Sequence, residues 1–278
     1  MGLFPLTPDA RRYFTGAAVA AARALGLGGA GDVDACAARL GLRRAHRLAA
    51  LADVLTLEDA WDAEPVSQPP GGWGELAAVI RRDRPLDASE LLARFHAHLA
   101  AVGHDDAGAL ATRLCALPEA ARGLIDLGAG VGHYAAAFLD AAPAARATLV
   151  DRAEVLALVA PRDRQRLVAG DLFDVGLDER HGVALVANVV HLYDAGDGAR
   201  LIARAAALAD VVVVKDLWVE PDRSGPPAAL YFALNMALYT DGGQVHPAAR
   251  IAGWMAAAGL RDARIERMGD DAIVWGRR

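Results

Sequence analysis

Through residues 8–117 apolar positions recur three and four apart, the spacing of helices that bury one face. The pattern predicts helices over 8–25, 33–40, 45–55, 74–80, 89–102 and 107–117. Residues 33–55 read as a helix, a turn at Gly41 and a second helix. The Pro/Gly-rich stretch 67–72 predicts a loop or a minimal wing. Beyond residue 117 the rhythm changes. Short apolar runs at 123–127, 147–151, 166–169, 182–188, 211–215, 263–268 and 272–276 read as strands. Helical stretches at 131–142, 196–209 and 247–258 lie between them, and an extra apolar helix is predicted at 226–239. Strand–helix alternation implies a mostly parallel sheet with helices on both faces. Right-handed crossovers then favour a doubly wound order. The expected architecture is α/β: a Rossmann-like sheet domain at 118–278 behind an all-helical, winged-helix-like domain at 1–117.

Composition narrows the picture. With 54% hydrophobic residues but only 6% aromatics, the core must be mostly Ala, Leu and Val. The net charge of −6 comes without blocks of like charge, which argues against a nucleic-acid or anionic-membrane surface. No apolar run reaches the roughly 18 residues of a membrane span. The apolar residues 16–22 continue into Arg23 with helical spacing and no cleavage pattern, so they read as a soluble helix rather than a leader. Cys36 and Cys115 form no metal-ligand cluster and fit a reduced, cytoplasmic compartment. Among 29 basic side chains Lys215 is the single lysine.

The sharpest motif is Leu124-Ile125-Asp126-Leu127-Gly128-Ala129-Gly130-Val131-Gly132, a strand that runs through three alternating glycines into a helix. Glycine lets the chain turn sharply and lets a ligand approach without meeting a Cβ. The G-x-G-x-G spacing is tighter than the dinucleotide fingerprint. The preceding Asp126 suits a ligand with a cationic ammonium and disfavours a pyrophosphate. Asp151, 23 residues after Gly128, ends the next strand about where an acid grips ribose hydroxyls. Asp171 follows the third strand, with Leu172 and Phe173 able to flank an adenine. All three elements fall at the C-terminal ends of strands, where open sheets bind ligands.

In these motifs the chain resembles the class I S-adenosylmethionine-dependent methyltransferases. More narrowly, it is similar to small-molecule O-methyltransferases with an N-terminal winged-helix-like dimerisation domain. The resemblance implies S-adenosylmethionine as cofactor and a homodimer through the N-terminal domain. It puts Gly128 and Gly130 at the methionine end, Asp151 and Arg152 at the ribose, and Asp171, Leu172 and Phe173 at the adenine, with Asn188 also cofactor-binding. His191, in Asn188-Val189-Val190-His191-Leu192-Tyr193, falls on the family's general-base histidine, although the usual Asp-Trp that follows is Leu192-Tyr193. Histidine suits proton removal because it titrates near working pH. The acid that orients it falls among Lys215-Asp216. Asp216 could orient His191, or Lys215 could replace the acid and bind a substrate carboxylate.

Tyr231, Asn235 and Tyr239 share one face of the helix 226–239, beside Met236, and read either as a substrate wall or as core. His246 follows a glycine turn and joins the substrate candidates. The main reading uses no metal. An alternative would hold one between His191 and His246, which resembles the arrangement in metal-dependent C-methyltransferases of α-keto acids, but Leu192 stands where that subset has a carboxylate. His96 and His98 are two apart and cannot share a helix face. His46, His104 and His181 read as surface residues. A rival of another class takes 33–55 as a DNA-binding helix–turn–helix, with Arg43, Arg44, His46 and Arg47 on its recognition helix.

Overall fold

A computed structural model of the chain describes residues 6–65, 72–102, 106–177 and 179–278. The loop expected at 67–72 therefore lies, apart from Gly72, outside the described residues, as does His104. In chain order the elements are α1 (Pro8–Leu25), α2 (Val33–Leu40), α3 (His46–Leu57), α4 (Leu76–Arg82), α5 (Ser89–Val102), α6 (Ala107–Cys115), β1 (Leu124–Leu127), α7 (His133–Ala141), β2 (Ala147–Asp151), α8 (Ala153–Leu156), β3 (Gln165–Ala169), β4 (His181–Ala187), α9 (Ala195–Leu208), β5 (Ala209–Leu217), α10 (Pro227–Tyr239), α11 (Ala248–Ala257), β6 (Arg261–Met268) and β7 (Asp271–Arg277).

These elements form two compact units that interleave along the chain rather than meeting at one cut near residue 117. The helical unit takes the chain up to Asp87, then His191–Asp194 and Leu217–Pro247. The sheet unit takes Ala88–Val190, Ala195–Asp216 and Ala248–Arg278.

The helical unit has its own core, built from α1, α3, α4 and α10. Helix α1 starts at Thr7, whose hydroxyl accepts the Ala10 N–H at 3.2 Å, and ends at Gly26, where φ of 66° suits glycine. Its buried stripe, from Gly16 to Leu25, is mostly alanine, which lets neighbouring helices approach closely. Helix α10 is apolar on every side, and nine of its 13 residues are buried, as expected of a helix enclosed by others.

The sheet unit is a seven-stranded sheet in the order β3-β2-β1-β4-β5-β7-β6. Strands β1 to β5 pair in parallel, while β6 runs antiparallel to β7. The inner strands β1 and β4 are buried throughout, whereas the edge strands β3 and β6 are largely exposed. Strand order reverses between β1 and β4, the switch point where open α/β sheets receive ligands.

Two of the histidines expected at the surface are not there. His181 opens β4 and is buried, with Nε2 2.9 Å from the Thr148 hydroxyl. Its polar neighbours Glu179 and Arg180 disguise the start of an apolar strand. The ring nitrogens of His46 are shielded by α3 and its surroundings, and burial together with the adjacent Arg47 lowers its pKa to about 4.

Candidate functional site

The glycine loop leaves β1 at the switch point. Gly128, Gly130 and Gly132 all have positive φ, at 80°, 56° and 81°. The reasons for glycine differ along the loop. A Cβ on Gly128 would lie 2.5 Å from Cγ2 of Val189, on the turn after β4, and one on Gly132 would lie 3.0 Å from Leu149. A Cβ on Gly130 would meet nothing within 4 Å, so the backbone there faces open space. Gly128 and Gly132 are packed close, and Gly130 is where a ligand can approach.

Asp151, at the end of β2, holds this loop in shape. Its Oδ2 accepts the Gly130 N–H at 2.8 Å and its Oδ1 accepts the Arg152 N–H at 2.7 Å. Asp126, in the middle of β1, is only 1% exposed, and neither of its carboxylate oxygens has a hydrogen-bond partner. Burial, reinforced by the nearby Asp151, raises its pKa to about 7. A buried carboxylate without a partner is costly, and a cationic ligand group would offset that cost.

After β3 the segment Asp171–Asp174 forms a turn in which the Asp171 carboxylate accepts the Phe173 N–H at 2.8 Å. Leu172 and Phe173 are half-buried, and the Arg200 guanidinium stacks 4.6 Å over the Phe173 ring. Thus Gly128, Gly130, Asp151, Arg152, Asp171, Leu172 and Phe173 all fall in the sheet unit, at or just after the C-terminal ends of β1, β2 and β3.

Asn188 sits after β4 with φ of 57°. Its amide N–H donates to the Tyr134 hydroxyl at 3.1 Å, and its side-chain oxygen accepts from Lys215 Nζ at 3.3 Å. Lys215 is not available to a substrate carboxylate. Its ammonium is buried and pairs with Asp106 at 2.8 Å and Asp271 at 2.6 Å. Burial opposes its charge, but the neighbouring Tyr134, Asp271 and Asp106 together hold its pKa above the ordinary lysine value. Neither Asp106 nor Asp271 stands out in the sequence. The signal that could have found them is the isolated lysine in an apolar strand, because a buried cation requires acids nearby.

The remaining candidates belong to the helical unit, while Asp216 is buried in the sheet unit. His191 is buried, with its ring edge-on to Phe232 of α10 at 4.8 Å between centroids. The loop after α10 holds the short segment that carries it. Its carbonyl accepts the Gln244 N–H at 2.9 Å, and Nε2 of His246 lies 3.0 Å from the Tyr193 carbonyl. Since a carbonyl only accepts, that His246 nitrogen is the donor and carries the proton. Among the described residues no three His, Cys, Asp or Glu side chains group as a metal site.

On α10, Tyr231 is fully buried and its hydroxyl is 2.5 Å from that of Thr15, so it serves the helical core. Burial raises its pKa to about 12. Asn235 and Tyr239 are half-buried and Met236 is buried. Of the basic residues assigned to a recognition helix, Arg47 is buried against Asp83, while Arg44, which pairs with Asp194 at 3.4 Å, and Arg43, 3.7 Å from Asp83, are exposed. Among the described residues no helix is long and apolar enough to cross a membrane.

Comparison with known proteins bears on the fold and the family. A model of the O-methyltransferase domain matches residues 109–261. A 3-hydroxy-5-methyl-1-naphthoate 3-O-methyltransferase from Streptomyces sahachiroi is 27% identical over 168 residues, which span 56% of this chain and 48% of that protein. An O-methyltransferase family 2 protein from Planctomyces limnophilus, solved with apigenin, superposes with a TM-score of 0.73 at 21% identity, covering 99% of this chain and 97% of the other. Human N-acetylserotonin methyltransferase, solved with S-adenosylmethionine, superposes with a TM-score of 0.64 at 21% identity over 100% and 99% of the two chains. The structural likenesses carry the fold, and the family match covers more than half of the sequence. The chain belongs to the O-methyltransferase domain family of class I S-adenosylmethionine-dependent methyltransferases.

Proposed function

We propose that the protein transfers the methyl group of S-adenosylmethionine to a hydroxyl on a small aromatic molecule, with His191 as the general base. The carrying observation is the loop at the β1–β4 switch point, where Gly130 faces open space and Asp126, four residues earlier in the chain, is buried with unpartnered oxygens. Such a cradle fits a ligand with an amino-acid ammonium. Asp151 and the Asp171–Phe173 turn are the groups to hold its ribose and base. Bound S-adenosylmethionine supplies a methyl group on a sulfonium, which any positioned nucleophile can take.

The protein's own contribution is placement and proton removal. A buried imidazole, fixed by Phe232 and by the loop after α10, can take the hydroxyl proton on a ring nitrogen. Asn235, Met236, Tyr239 and His246 are the acceptor-side candidates, and Asp216 is the candidate acid that orients His191. An aromatic acceptor is supported by the naphthoate in the Streptomyces relative's name and the apigenin bound to the Planctomyces protein. The exposed Leu91, Leu92 and Phe95 on α5 support a homodimer through this helix. The free thiols Cys36 and Cys115 support a reducing, cytoplasmic setting.

The test is incubation with S-adenosylmethionine and hydroxylated naphthoates or flavones, following S-adenosylhomocysteine and methylated product. The His191→Ala variant should lose about 10²–10⁴ in kcat while binding S-adenosylhomocysteine unchanged. Acceptor consumption without S-adenosylhomocysteine, or full activity in His191→Ala, would sink the proposal.

A further inference from the structure

Lys215 sits where several parts of the sheet unit converge. It lies on β5, and its ammonium reaches Asp106 at the start of α6, Asp271 at the start of β7 and Asn188 after β4. Its three donors therefore have three acceptors. The Tyr134 ring stands 5.7 Å from the same nitrogen, and the Tyr134 hydroxyl bonds both Asp106, at 3.2 Å, and Asn188, at 3.1 Å. The network closes on itself, with one cation set against two carboxylates.

Lys215 holds Asn188 twice. Its carbonyl accepts the Asn188 N–H at 2.7 Å, and its ammonium donates to the Asn188 side chain. Asn188 has the left-handed backbone that directs the next residue, and that residue, Val189, fills the space a Cβ on Gly128 would need. Tyr134, on the first turn of α7, ties in the other end of the glycine loop. The cation thus fixes what packs beside Gly128 and the helix into which the loop runs.

We propose that Lys215 is a positioning residue of the cofactor site, one that sets the shape of the glycine loop through Asn188 without touching the ligand. This rests on the reading of that loop as the S-adenosylmethionine site. A lysine with only a structural role would affect folding and leave the affinity of the folded protein alone. A positioning lysine must affect affinity, and must do so through Asn188.

The experiment measures S-adenosylhomocysteine binding by calorimetry, with thermal melts alongside. The double variant Lys215→Met/Asp271→Asn removes the cation and one buried acid together, so the local charge balance is kept. It should bind about tenfold more weakly, the usual scale for losing a charged hydrogen bond, with KM for S-adenosylmethionine raised more than kcat is lowered. In an Asn188→Ala background the same change should cost little more, because the path through Asn188 is already cut. Lys215→Arg, which keeps a cation, should recover part of the affinity. Unchanged affinity in the folded double variant, or an equal loss in both backgrounds, would overturn the proposal. Failure of the unaltered chain to bind S-adenosylhomocysteine would instead overturn the cofactor reading on which it stands.

Discussion

Among the described residues each unit buries one lysine or arginine, and the two are satisfied in different ways. In the helical unit Arg47 is 2% exposed. Its guanidinium donates to the carbonyls of Ala237, Thr240 and Asp241 and to the Asp83 carboxylate. Most of these acceptors are main-chain groups at the C-terminal end of α10, where carbonyls lack helical partners. In the sheet unit Lys215 meets two carboxylates and an amide, all of them side chains. A planar fork suits spread-out carbonyls, while a compact ammonium suits a cluster. The comparison teaches a division of labour: Arg47 closes the end of a helix, and Lys215 gathers side chains beside the glycine loop. Changes near the first should cost stability, and changes near the second should cost affinity.

The largest effect should come from Arg47→Met. It leaves Asp83 and three carbonyls short of a donor, and about 3–5 kcal/mol should be lost in urea unfolding. Arg47→Lys should recover only part of this, since one ammonium cannot span the four acceptors. Full recovery would break the contrast between fork and point charge.

Next come the paired variants Gly128→Ala and Gly130→Ala. Both force alanine into positive φ, but only the first meets Val189, so Gly128→Ala should destabilise by about 1–3 kcal/mol. Gly130→Ala should melt nearer to the unaltered protein yet bind S-adenosylhomocysteine poorly, because its methyl group occupies the open approach. If the two lost stability equally, the distinction between packed and ligand-facing glycines would fail.

The smallest effect is a pH dependence whose sign differs between the units. Asp126 titrates near 7, above its ordinary value, so its contribution to the stability of the free protein is present below about pH 4 and fades as pH rises through 7. On the proposed reading, in which the Asp126 carboxylate meets the ligand's ammonium, S-adenosylhomocysteine affinity should rise about tenfold between pH 6 and 8, worth about 1.4 kcal/mol. Asp126→Asn should flatten that profile. His46 is shifted the other way, so its contribution is present above about pH 6.5 and is lost as pH falls towards 4. An acid-side loss of helical-unit stability that persists in His46→Gln would place its origin elsewhere.

Much of this architecture could be read from the chain alone, where local pattern and structure coincide. The run Val211–Val214 must be an inner strand, and the loop from Gly128 to Gly132 must be a tight turn. The insertion of β7 between β5 and β6 was not legible, because pairing order is a non-local property that strand periodicity does not carry. Nor was the role of Tyr231: a helix apolar on every side gives no sign of which face meets its neighbours. The acids that neutralise Lys215 come from α6 and β7, far away in sequence. Only the rarity of the lysine hinted that they existed.

The interleaving of the two units bears on how such a chain can be inherited. The backbone passes from one unit to the other after Asp87, Val190, Asp194, Asp216 and Pro247. A recombination event near residue 117 would import foreign N-terminal helices and leave α10 behind without the α3 surface it packs on. An exchange of the chain before residue 117 would therefore disturb the core of the helical unit as well as the swapped segment.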